Sequence, residues 1–152
     1  MKNARFSIIC LVIISALGGV ACSESSAVPT APSSSTSGSF ALTSDLAGAW
    51  TLASVQPSGG AVQHKPATAD YSAIFDNGRI SARADCNVCS GLATVSSGAV
   101  SIGPVLACTR AACPTMEFES VYVSLLSGEH SVVIDGSSLT LQSDRGVVRF
   151  ER

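Results

Sequence analysis

Four of the six cysteines lie in two short segments, Asp85-Cys86-Asn87-Val88-Cys89-Ser90-Gly91 and Leu106-Ala107-Cys108-Thr109-Arg110-Ala111-Ala112-Cys113-Pro114. No other feature constrains the fold as strongly, because whatever those sulfurs bond to must bring the two segments together. The spacing Cys86-x2-Cys89-x18-Cys108-x4-Cys113 is close to a zinc-ribbon pattern. Two disulfides and a redox pair are the other options. A catalytic Cys-x-x-Cys needs a helix amino terminus at its first cysteine to lower the thiol pKa. Cys86 instead ends an alternating stretch, which argues against redox chemistry. Compartment decides between the remaining two.

The amino terminus supplies the compartment. Met1-Lys2-Asn3-Ala4-Arg5 is short and basic, and Phe6 to Ala21 is almost wholly apolar. That is the layout of a secretory signal, too short to span a bilayer comfortably. It ends in Leu17-Gly18-Gly19-Val20-Ala21-Cys22, which resembles the bacterial lipobox, with Gly19 where Leu is preferred. The resemblance implies cleavage before Cys22 and a diacylglycerol on its thiol. At about 0.8 kcal/mol per buried CH₂, several acyl chains make an effectively permanent anchor. By the same resemblance Ser23, rather than Asp, directs the chain to the outer membrane, facing the periplasm. Residues 1–21 are thus expected to be a signal peptide. Residues 22–44, rich in Ser, Thr, Ala and Pro, are read as the lipidated cysteine and a flexible tether, and residues 45–152 as one small domain.

Outside the cytoplasm thiols tend to be oxidised, and four cysteines beyond Cys22 can pair completely. The expectation is therefore two disulfides and no metal. Bonding Cys86 to Cys89 across two residues would be strained, which leaves a nested pairing (86–113, 89–108) or a crossed one (86–108, 89–113). The nested pairing is favoured because it lets the segments meet running in opposite directions. Loops of roughly 20 to 28 residues suggest about 3–4 kcal/mol each on the chain-entropy estimate.

That support matters because the core is modest. Only Trp50, Tyr71, Phe75, Phe118, Tyr122 and Phe150 give the domain aromatic bulk. Without residues 1–21 the chain carries 7 basic and 11 acidic side chains, a charge of −4. It shows no basic stripe, so nucleic acid is not an expected partner.

Period-2 alternation over Leu46–Val55 and Tyr71–Phe75 predicts strands, with the turn Asp76-Asn77-Gly78 leading into the next. There Ile80, Ala82, Ala84 and Cys86 share one face, and Arg79, Ser81, Arg83 and Asp85 face solvent. Leu92–Ser96 and Ala99–Ile102 read as further strands. Phe118, Val121, Tyr122, Leu125 and Leu126 then fall on one helical face, with Thr115 as cap. Three short strands close the chain, with Val132, Ile134, Val148 and Phe150 inward. His64 is expected in a solvated loop and His130 at a strand edge. The fold class is α+β: a predominantly antiparallel, barrel-like or strongly curved sheet of about eight strands with one packed helix.

These residues also resemble the META domain, the HslJ-like family of bacterial envelope proteins. The resemblance is carried by Leu46, Gly48, Trp50 and Leu52; by Cys86-Asn87 with Gly91; by Thr109-Arg110-Ala111-Ala112-Cys113; and by Glu119, Leu139-Thr140-Leu141 and Phe150. It covers about residues 45–152. Cys89 stands where the family usually has an aromatic residue, Cys108 where it has Ser or Thr, and Asp85 where it has Gly. Two cysteines substituted at opposed positions again favour the nested pairs. The family implies a small envelope or secreted protein, in some cases tied to stress response, and carries over no catalytic residue or cofactor. Asn87, Gly91 and Thr109 are read as structural, with the Asn87 side chain bonding a turn backbone.

The leading functional expectation is a non-enzymatic envelope lipoprotein, held to the membrane through Cys22, that contacts another envelope component or helps tolerate stress. A small-ligand carrier is the alternative, since Gly48-Ala49-Trp50 is similar to a lipocalin first strand; a filled interior would count against it. A protease inhibitor is a third.

Overall fold

The computed structural model describes residues 43–152. The expected signal peptide, Cys22 and the tether as far as residue 42 lie outside the described residues. Residues 43–46 are helical, so the last two residues assigned to the tether, and Leu46, precede the first strand rather than sit in a linker or a strand.

Ten strands follow: β1 (Gly48–Pro57), β2 (Gln63–His64), β3 (Tyr71–Asp76), β4 (Arg79–Ala84), β5 (Asn87–Ser96), β6 (Ala99–Ile102), β7 (Ala107–Cys108), β8 (Gly128–Asp135), β9 (Ser138–Ser143) and β10 (Gly146–Glu151). Among the described residues one long helix, α1 (Met116–Leu126), lies between β7 and β8. Eight strands close into an antiparallel barrel in the order β1-β3-β4-β5-β6-β8-β9-β10, and β10 returns to β1. Strands β2 and β7 are extra, pairing with β1 and β5. Closure depends on β1 serving two neighbours. Gly48 to Thr51 pair with β3, and Thr51 to Pro57 pair with β10, with a register irregularity between Leu52 and Ser54. A bulge of this kind bends the strand where the barrel must turn.

Small residues on the inner wall allow tight curvature. Ala82 is flanked across the ladder by Ala73 and Cys89, and all three are buried. Trp50, Tyr71, Phe150, Leu52, Ile80, Leu139 and Leu141 fill the interior. Helix α1 closes the end at which β3 begins and β4 ends. Its Tyr122 ring meets Tyr71 at 5.4 Å and Phe150 at 6.3 Å edge-on, and its hydroxyl donates to the Ser72 carbonyl at 3.0 Å. Full burial pushes the Tyr122 phenol well above its ordinary pKa, so it remains a neutral donor.

Three local expectations are corrected. Strand β4 stops at Ala84, and Asp85 takes a positive φ of 55°, so Cys86 leaves the inner-face alternation and is exposed. The strand expected to begin near Leu92 begins at Asn87, because β4 hands over to β5 in a tight turn at 85–86. His130 is not at an edge. It sits in β8 between β6 and β9, facing inward and only 2% exposed. It shares a phase with Val132 and Ile134, and its Nε2–H donates to the Leu126 carbonyl at 3.1 Å.

Candidate functional site

The two cysteine segments meet along β5. Cys86 is bonded to Cys113 and Cys89 to Cys108, with Cα separations of 5.7 and 4.0 Å. The pairing is nested. It follows the antiparallel register in which Cys89 faces Cys108 and Ser90 faces Ala107. With all four sulfurs in disulfides, none is left to ligate zinc. The bonds fasten residues 106–114, which have little regular structure of their own, to the barrel wall.

Asn87, 2% exposed, sits at the centre of this junction. Its carbonyl accepts from the Thr109 hydroxyl at 2.9 Å and from the Ala111 N–H at 2.8 Å. Its amide nitrogen faces the Ala111 carbonyl at 3.0 Å, both Glu119 oxygens at 3.0 and 3.1 Å, and the Cys113 sulfur at 3.1 Å. One side chain therefore ties β5 to the loop and to α1. Thr109 adds a second tie: its hydroxyl accepts from the Val88 N–H, and its own N–H donates to the Val88 carbonyl, both at 3.0 Å. Gly91 lies under the same loop. A Cβ there would come within 2.6 Å of a Leu106 methyl, so glycine lets Leu106 lie close to the strand.

Asp85, next along the turn, holds the start of the helix. Its carboxylate accepts from the Thr115 hydroxyl at 2.7 Å and from the Thr115 N–H at 3.3 Å. Thr115 makes no side-chain cap of its own, because its hydroxyl is turned to Asp85. The Tyr71 hydroxyl completes the chain, donating to Thr115 Oγ1 at 2.7 Å. Burial raises the Tyr71 phenol pKa, the Thr115 bond lowers it, and Asp85 and Glu119 raise it further. The side chains of this cluster are engaged with other protein groups, so they fasten strand, loop and helix together. Neither Asp85 nor Glu119 was singled out for this role from sequence. The signal was present only as Asp in place of Gly at 85 and as the family's helix glutamate at 119.

The fastening builds a groove on the outside of the barrel. Helix α1 has two faces. Tyr122, Leu125 and Leu126 enter the core, while Met116, Glu119, Ser120, Val123 and Ser124 face residues 104–112 across a cleft of ≈ 630 Å³. Its walls include Val105, Leu106, Ala111 and Ala112, and Arg110 and Arg145 stand on it. No ion pair engages either guanidinium among the described residues. The volume lies in the range of small-molecule and peptide sites. By contrast, none of the three principal clefts among the described residues is lined by the interior residues Trp50, Leu52, Ile80 or Phe150. His64 is exposed on β2, remote in sequence and pairing from this site.

A family model described as the META domain matches residues 42–152. No curated protein matches the sequence significantly. Among solved structures, an NMR structure of a protein from Burkholderia xenovorans is 23% identical, with a TM-score of 0.60, covering 74% of this chain and 86% of that one. A crystal structure of a lipocalin-like protein from Bacteroides uniformis is 22% identical, with a TM-score of 0.51, covering 71% of this chain and 98% of that one. At these identities the likeness is one of fold.

Proposed function

The chain belongs to the META domain family, and from that premise we propose that it is a non-enzymatic envelope lipoprotein whose barrel is a rigid mount for an external recognition groove. In this reading the signal peptide exports it, Cys22 is acylated, and the domain faces the periplasm from the outer membrane. There it contacts another envelope component and contributes to tolerance of envelope stress.

One observation carries the reading. The barrel interior is occupied by its own aromatic and aliphatic side chains, while ligand-sized clefts lie outside: the groove of ≈ 630 Å³ between α1 and residues 104–112, which carries Arg110 and Arg145, and one of ≈ 770 Å³ beside residues 113–118. A carrier that encloses its ligand needs the reverse arrangement. The groove suits a partner that presents an apolar group beside a negative charge, since its apolar walls adjoin Arg110 and Arg145.

The test is site-specific photocrosslinking in intact envelopes. A crosslinker at Met116 should trap a discrete partner, and Arg110→Glu with Arg145→Glu should reduce the yield at least several-fold. A crosslinker at Val133, 61% exposed on β8, should trap none. Equal crosslinking from both positions would overturn the groove. A mature chain whose Cys22 carries no acyl mass would overturn the anchor.

A further inference from the structure

The outer wall of β3, β4, β5 and β7 is unlike the rest of the surface. Ile74, Val88 and Leu92 point outward there at 46%, 42% and 62% exposure, and Val105 borders them at 79%. These are four of the seven large apolar side chains exposed among the described residues. Between them stand two cations set by strand register: Arg79 opposite Leu92 and Arg83 opposite Val88. Of the other outward positions, Ser72, Ser81, Ser90 and Ala107 are small. No ion pair engages Arg79 or Arg83 among the described residues. Asp76 is the in-register neighbour of Arg79, and Asp70 and Asp85, joined by a backbone bond, lie just beyond Arg83, so the charge of each cation is partly offset. A chain with a net mature charge of −4 has thus placed apolar bulk and arginines together on one smooth wall.

The chain outside the described residues ends beside this wall. Thr43 and Leu46 line a cleft of ≈ 240 Å³ together with Phe75, Asp76 and Arg79. Residues 23–42 connect that point to Cys22. An anchor at Cys22 would therefore join the domain to a bilayer through twenty residues attached at this edge.

We infer that the β3-β4-β5-β7 wall docks on the anionic lipid surface of the membrane, with Arg79 and Arg83 at the phosphates and Val88, Leu92 and Ile74 among the upper acyl carbons. The inference rests on the lipid-anchor reading for where the domain is delivered. Docking in this pose holds the domain by two attachments, one covalent and one through the wall.

The experiment uses the mature acylated protein on vesicles of neutral phosphatidylcholine or of phosphatidylcholine with phosphatidylglycerol, each containing brominated lipid. Tryptophan placed by Leu92→Trp should be quenched on anionic vesicles, whereas Val133→Trp should not; native Trp50, 1% exposed, sets the baseline. A Cys22→Ser form of the chain isolates the wall. Its affinity for anionic vesicles should fall about five-fold with either Arg83→Gln or Arg79→Gln, and should weaken with salt. Absent or equal quenching at the two positions overturns the inference, as does a dimer that Leu92→Ser dissociates, which would assign the wall to a second copy. Flotation with neutral vesicles reports the anchor separately. Flotation without quenching refutes the wall alone. Quenching on anionic vesicles without flotation on neutral ones supports the wall and refutes the anchor.

Discussion

Asn87 shows how one residue can be legible in kind and hidden in extent. The Cys-Asn pair with its following glycine marked a turn-bonding asparagine, and the side chain does bond the Ala111 backbone. Its contact with Glu119, 32 residues away, depends on where the helix lands and could not be read from local pattern. Asn87→Ala should cost about 2–3 kcal/mol in denaturant unfolding, because it leaves buried partners unmatched. Asn87→Asp should cost more at neutral pH, since it sets a second carboxylate against Glu119, and should recover part of the loss as pH falls toward 4. An Asn87→Asp variant equal to wild type at pH 7 would contradict this geometry. His130 is the residue whose alternation phase with Val132 already indicated the interior, yet whose polarity suggested an edge. Burial lowers its pKa most; the Leu126 bond opposes this, Arg145 adds to it, and Asp144 opposes it weakly. Below about pH 6.5 the unfolded histidine binds a proton that the folded one resists. Stability should therefore be complete above that pH and fall below it, by up to about 1.4 kcal/mol per unit until the folded group titrates. Thermal melts from pH 7.5 to 5.5 should show that slope in wild type and a flatter one in His130→Gln.

At the scale of elements, strands β3, β4, β8, β9 and β10 and the helix were readable because each buries one face, and burial imposes a period. The two-residue strands β2 and β7 were not, since two residues carry no period. The join between β4 and β5 was misread because Cys86 continues the apolar alternation while Asp85 has already left extended backbone. A left-handed φ of this kind costs a side chain energy that glycine escapes. Asp85 accepts that cost and gains the Thr115 bonds that seat α1. Asp85→Ala should lose about 1–3 kcal/mol, because it keeps the backbone strain and deletes a charge-assisted bond. Asp85→Asn should lose less, since asparagine tolerates the conformation and retains an acceptor. Chemical denaturation of the three proteins gives the order, and Ala equal to Asn would contradict it.

Closure of the whole molecule was the least visible property in the sequence. The pairing of β1 with β10 joins residues about 100 positions apart (Thr51 with Glu151), and no local signal announces it. Sulfur was the exception, a long-range contact written into the chain as spacing. The account depends on it: the barrel folds around its own core, helix α1 joins that core through Tyr122, Leu125 and Leu126, and the loop at 106–114 is held to the wall largely through Cys86–Cys113, Cys89–Cys108 and the Asn87 junction. Hydrogen exchange read by mass spectrometry, with and without a mild reductant, tests this directly. Reduction should strip protection from residues 106–114 first, while α1, β9 and β10 keep theirs. Unchanged protection across 106–114 in fully reduced protein would contradict the central claim.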